Sequence, residues 1–264
     1  MAIALLAPLT RGADLPADRR RGWQELSLVS PAQAQQAFAT ALAADPSDRE
    51  SRLGAALAWL QQRARTPENV AAAGRLLEAL RRENDGDDAG IGAAYYLARI
   101  AQVHSFTPDR AAALAGYRGL LADHPGHPYA QLAAPKLALL LLYDDVPPDE
   151  WERRVAEIQA LIPRLTAPEA LRDTRLTLAM ALIRLRQDHA RAYPLLASCL
   201  GAGTVKRMPR LNTVLVQAAE SARILGKESE AAAYYANFLG EFPQDAKSDE
   251  IRRRLSRLET KGHP

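Results

Sequence analysis

Three times in this chain an alanine is followed by an aromatic residue four positions on, a small or bulky apolar residue three further and a proline five beyond. The matches are Ala34-Phe38-Ala41-Pro46, Ala113-Tyr117-Leu120-Pro125 and Ala231-Tyr235-Phe238-Pro243. Steps of four and three keep residues on one face of a helix, and the proline stops it. The prolines lie 79 and 118 residues apart, close to two and three copies of one unit, which sets that unit at about 39 residues. A chain built this way buries its apolar faces by stacking helix pairs on their neighbours.

Composition supports helices throughout. The chain is 48% hydrophobic but only 6% aromatic, and Ala, Leu, Arg and Glu are abundant, the residues that cost least in a helix. No run of Val, Ile and Thr alternates with polar residues; residues 213–217 come nearest, inside a helical period. The expected pairs are 17–28 with 31–44, 48–63 with 67–82, and 89–104 with 108–124. A fourth pair surrounds the apolar run Leu137 to Leu142, its first helix holding Pro135 and its partner opened by Pro147-Pro148-Asp149. The fifth pair is 168–186 with 190–200, and the sixth 210–225 with 228–242. A charged helix over 248–260 closes the stack as a solvent-facing cap. Ser30 and Thr66 precede a proline at the first helical turn, and Thr107-Pro108-Asp109 repeats that start.

With these positions placed, the chain resembles the tetratricopeptide-repeat family. Leu53-Gly54-Ala55-Ala56-Leu57 and Ile91-Gly92-Ala93-Ala94-Tyr95 fit the family's first-helix pattern, and the alanine–aromatic–proline spacing fits its second helix. The small residues let two helices approach while the aromatic fills the hole between pairs. Pairs four and five lack the glycine, and the unit exceeds the usual 34 residues. The ending Tyr235 to Pro243 followed by a basic helix is similar to repeats of bacterial cell-envelope proteins. The resemblance implies an all-α fold: an alpha-alpha superhelix of about six pairs plus a C-terminal cap helix, over residues 15–264.

The resemblance also implies a non-catalytic scaffold that holds a peptide or protein segment in a concave groove lined by first helices. Carried onto this chain, the groove residues are Ala93 and Tyr96; Tyr129, Leu132, Lys136 and Leu139; Thr174, Thr177 and Arg184; and Thr213, Val216, Glu220 and Arg223. Lys136, Arg184 and Arg223 suit an acidic segment or a C-terminal carboxylate. The alternative is an RNA-binding helical repeat, which requires a continuous basic stripe and strongly salt-dependent binding. The formal net charge is only +3, five of the 34 basic residues are Lys, and acids and bases interleave as on a solvated helical surface.

Nothing in the sequence points to catalysis, a cofactor or a metal. Gly-rich phosphate loops, nucleophile elbows and paired cysteines are absent. His124 and His127 flank a turn without a further ligand, and the carboxylate-rich stretches read as helix stops and starts. Cys199, the single cysteine, fits a helix interface, and Trp23, Trp59 and Trp151 sit at apolar helical positions suited to core packing. Residues 1–14 read as the tail of a secretory signal or as a disordered leader, which with the envelope-like ending leans toward an exported or periplasmic protein. No stretch approaches the roughly 18 apolar residues of a membrane span.

Overall fold

The computed structural model describes residues 16–143, 147–205 and 211–261. The expected leader, 1–14, lies outside them. Among the described residues the chain is helical, with no strand, and it divides into two compact units, 1–133 and 134–264.

Unit 1 begins with α1 (Ala17–Ser27), α2 (Pro31–Ala44), α3 (Arg49–Gln61) and α4 (Pro67–Glu83). It continues with α5 (Asp88–Arg99), which runs into a π-helical turn (Ile100–His104), and α6 (Arg110–Asp123). Each helix packs on the next, and the first helices α1, α3 and α5 also touch one another one pair on. Phe38 shows why small residues recur. Its ring is fully buried, and a Cβ placed at Gly22 of α1 or at Gly54 of α3 would fall 2.5 Å or 2.2 Å from it. The aromatic of one second helix therefore occupies the gap left by glycines on the first helices of its own pair and the next. Trp23 closes the layer edge-on, 5.5 Å from Phe38 between centroids.

Helix starts follow acid and hydroxyl caps. Asp48, Thr66, Asp87 and Asp109 each accept a hydrogen bond from a first-turn amide, at 2.7 to 3.2 Å. Two expectations are corrected. Ser30 makes no side-chain cap bond, and α6 is capped by Asp109 rather than Thr107, because Pro108 falls before the helix. Arg49 links three elements at once. It donates to both Asp87 carboxylate oxygens, to Glu83, and to the carbonyls of Leu80 and Asn84 at the end of α4.

Unit 2 takes in most of α7 (Pro128–Tyr143), whose helix runs through Pro135, and then α8 (Trp151–Leu161) between two 3₁₀ turns. It is completed by α9 (Pro168–Arg186), α10 (His189–Gly201), α11 (Leu211–Ile224), α12 (Glu228–Glu241) and α13 (Ser248–Lys261). The 39-residue unit reappears in side-chain contacts between pairs. Glu152 holds Arg191 through two bonds of 2.6 and 3.0 Å across 39 positions, and Asp88 meets His127 across 39 in unit 1. Trp151 is buried under the Arg186 guanidinium, 4.9 Å from the ring centroid.

Two first helices end in the same hydrogen-bonded turn. At α1, Ser30 N–H donates to Glu25 and Val29 N–H to Leu26; at α11, Lys227 N–H donates to Ala222 and Gly226 N–H to Arg223. The motif needs a left-handed residue at its corner, with φ of 73° at Gly226 and 58° at Val29. Glycine adopts that conformation freely, whereas a β-branched residue is strained there.

Candidate binding surface

The nine large apolar side chains that stand exposed among the described residues are not scattered. Leu28 and Val29 end α1, Val103 and Phe106 follow α5, and Leu139 and Tyr143 lie in the last turns of α7. Leu185 ends α9, and Ile224 and Leu225 end α11. Every one lies at or just beyond the C-terminal end of a first helix. Exposed apolar side chains grouped in this way make these ends the candidate binding surface.

In unit 2 this surface consists of Leu139, Tyr143, Leu185, Ile224 and Leu225, interleaved with the exposed cations Arg184, Arg186 and Arg223. Arg184 stands near Tyr143, whose phenol is pushed above its ordinary pKa by burial and pulled partly back by that guanidinium. Cations here also face the negative ends of α9 and α11. Beside α11 lies a cavity of about 540 Å³ lined by Arg223, Glu228, Arg254, Arg257, Leu258 and Thr260.

The groove residues expected from the family pattern fall into three environments. Tyr96 and Tyr129 are buried, 3% and 6% exposed, in a cluster with Tyr95 and Tyr117 whose centroids are 5.1 to 6.2 Å apart. Burial raises the pKa of all four phenols. Ala93, Thr174 and Val216 are likewise buried. Leu132, Lys136, Thr177 and Thr213 are half-buried, while Leu139, Arg184 and Arg223 are exposed. Glu220 is engaged within unit 2. It accepts from Tyr235, from Arg223 at 3.0 Å and from Arg254, joining α11, α12 and α13, and those donors hold its pKa down against half-burial.

Sequence reasoning missed Tyr143, Leu185, Ile224 and Leu225. The available signal was the pair of strings Arg184-Leu185-Arg186 and Arg223-Ile224-Leu225, where apolar residues break a charged helix end.

Reactive groups in both units are enclosed. Nδ1 of His189 lies 3.0 Å from the Ser221 hydroxyl, but Ser221 is fully buried, and Asp188 is used to cap α10 and hold Arg191. Cys199 is 1% exposed and burial pushes its thiol up to about 11. His127 stacks on Tyr129 and accepts that residue's amide, with Asp88 on its other nitrogen. Among the described residues no three His, Cys, Asp or Glu side chains come together as metal ligands, and no helix is long and apolar enough to cross a membrane.

No family model matches the sequence, and no curated protein matches it. Solved structures do. A tetratricopeptide-repeat protein from Parabacteroides merdae is 14% identical, with 93% of this chain and 92% of that one covered at a TM-score of 0.50. A thermophilic TPR protein of Thermus thermophilus is 18% identical over 80% of this chain and 99% of that one, with a TM-score of 0.44. The human IFIT1 dimer with PPP-AAAA is 13% identical over 91% of this chain and 62% of that one, with a TM-score of 0.43. At such identities the likeness concerns the fold. Glycine-seated aromatics, the 39-residue unit and the Parabacteroides likeness agree that this chain is a TPR-like helical-repeat protein with an all-α fold.

Proposed function

We propose that this protein is a non-catalytic scaffold that holds a segment of another protein against the first-helix ends of unit 2. The observation that supports the reading is that the exposed large apolar residues among the described ones fall at first-helix ends, five of the nine in unit 2. Leu139, Tyr143, Leu185, Ile224 and Leu225 supply apolar area, and Arg184, Arg186 and Arg223 border it with positive charge. The favoured segment therefore carries apolar side chains between acidic ones, consistent with the acidic partner expected from the family pattern. Anchors of this kind carry most of an interface's energy while bordering charges set orientation and rate.

The test is an affinity capture from an extract of the source organism with the wild-type chain and with Leu185→Ser/Ile224→Ser, both exposed positions whose change leaves the core intact. A protein retained by the wild type at moderate salt, indifferent to nuclease and lost from the variant supports the scaffold. Recovery only of salt-labile, nuclease-sensitive material refutes it in favour of RNA.

A further inference from the structure

Unit 1 carries a group of polar atoms that no partner fills. The rings of Tyr95, Tyr96 and Tyr129 lie in the interior, 6%, 3% and 6% exposed. Yet none of their hydroxyls has a hydrogen-bond partner among the described residues, and none is sealed from solvent. Tyr117, in the same cluster, differs: its hydroxyl donates to Gln102 at 2.7 Å.

The backbone fixes where these phenols point. Aromatic side chains lean toward the N-terminus of their helix, which carries Tyr95 and Tyr96 back toward the first turn of α5, where Asp88 stands. Tyr129 crosses from α7 onto that helix. A Cβ at Gly92 would fall 2.8 Å from its Cε2 and 3.2 Å from its Cζ, and 3.0 Å from the Leu53 side chain of α3. Gly92 lies one turn on from Asp88, and Leu53 one turn on from Glu50. The phenol end of Tyr129 therefore rests between two helix starts that each carry a carboxylate. Both act on it: after burial and Tyr95, Asp88 and Glu50 push the phenol further above its ordinary range.

The cations of the unit leave these acids unfilled. Arg49 and Arg52 are taken up by Asp87 and Glu83. Arg19 shares one nitrogen between Asp48 and Oε2 of Glu50, leaving Oε1 of Glu50 open. Burial pushes the Glu50 carboxyl up, and against the pull of Arg19 the neighbouring Asp48, Asp88 and Asp87 push it the same way. His127, its Nδ1 taken by the Tyr129 amide, meets only Oδ1 of Asp88, whose side chain is 60% exposed. Arg99, beside Tyr95 and Tyr96, is held toward the other end of α5 by Gln102 at 2.7 Å.

We infer that unit 1 binds a basic side chain of a partner protein here, a lysine ammonium or arginine guanidinium that donates to the Glu50 and Asp88 carboxylates and to the phenol oxygens of Tyr96 and Tyr129. The chemistry selects a cation. Each open group is a carboxylate oxygen or a hydroxyl that can turn to accept, and charge-assisted bonds made beside buried rings are stronger than those made in water. An anion would face two carboxylates and find no open guanidinium. The site uses none of the residues of the surface proposed in unit 2 and is independent of that reading.

Selection of random dodecapeptides tests the site, with the full chain and the full chain carrying Leu185→Ser/Ile224→Ser as separate baits, at about 0.15 M salt to screen exposed pairs. Both baits should enrich peptides with lysine or arginine at one fixed position. Replacing that residue by norleucine, which keeps the stem and drops the charge, should weaken binding at least about tenfold by fluorescence anisotropy, as should Glu50→Gln or Asp88→Asn. Tyr96→Phe and Tyr129→Phe remove only hydroxyls without partners, so melting should not move while affinity falls about fivefold. Recovery only of acidic peptides that the Leu185→Ser/Ile224→Ser chain loses would support the unit 2 surface and overturn this site. Recovery of neither class, or basic peptides indifferent to the four variants of unit 1, overturns it as well.

Discussion

The seat of Phe38 allows a quantitative test of how the repeat is built. Changing Gly54→Ala would set a Cβ 2.2, 2.5 and 2.6 Å from three atoms of the Phe38 ring. The ring cannot retreat, because Gly22 already lies as close on α1 and Phe38 has no exposed surface. Overpacking of an unyielding core costs up to about 3 kcal/mol, while alanine regains about 1 kcal/mol of helix propensity over glycine. The net loss should be about 2 kcal/mol. Gly74→Ala makes the internal contrast: with open space around it, that change should stabilise by about 0.5 to 1 kcal/mol. Phe38→Leu should rescue Gly54→Ala, giving a coupling energy of about 2 kcal/mol between the two. Urea unfolding followed by far-UV circular dichroism measures the wild type, the three single variants and the double variant. Equal stabilities for Gly54→Ala and Gly74→Ala, or strict additivity with Phe38→Leu, would refute the packing argument.

Further outcomes follow from other sites. Tyr117→Ala should cost about 3 to 5 kcal/mol as a fully buried ring is lost. Tyr117→Phe should cost only about 1 kcal/mol, because Gln102, which accepts the phenol at 2.7 Å, keeps its bond from Arg99. Val29→Gly should raise stability by about 1 kcal/mol in thermal or urea melts through relief of the left-handed corner. His104 is held down to about 4 from 6.5, by burial first and then by Arg99 and Arg65. The unfolded chain thus binds its proton first, so stability is full above pH 6.5 and falls as pH drops toward 4. His104→Gln should flatten that slope in melts taken across the range. Cys199 should resist iodoacetamide at neutral pH until denaturant is added, being buried with its thiol pushed up to about 11.

The helix pairs could be read from the chain because their determinants are local. Asp48, Thr66 and Pro67 sit where caps and first turns require them, and the alanine–aromatic spacing places Phe38, Tyr117 and Tyr235 in full burial. Ser30 and Thr107 misled because a hydroxyl before a helix is only a candidate cap: whether it bonds depends on backbone angles fixed by packing. The π-turn at Ile100–His104 has no sequence mark; the extra residue is accommodated in three dimensions. The binding surface was half legible. The family register led to Leu139, Arg184 and Arg223, but also to Tyr96 and Tyr129, whose rings fill the interior. Leu185 and Ile224, one residue beyond the expected cations, became visible only as exposed surface.

The most direct measurement is photo-crosslinking in living cells, with a photoreactive amino acid placed in turn at positions 185, 224 and 233. Leu185 and Ile224 belong to the first-helix ends, whereas Ala233 is exposed on the second helix α12. The account predicts that one partner protein is captured from 185 and 224 and not from 233. Capture from 233 alone, or crosslinks from 185 and 224 to RNA in place of protein, would contradict it.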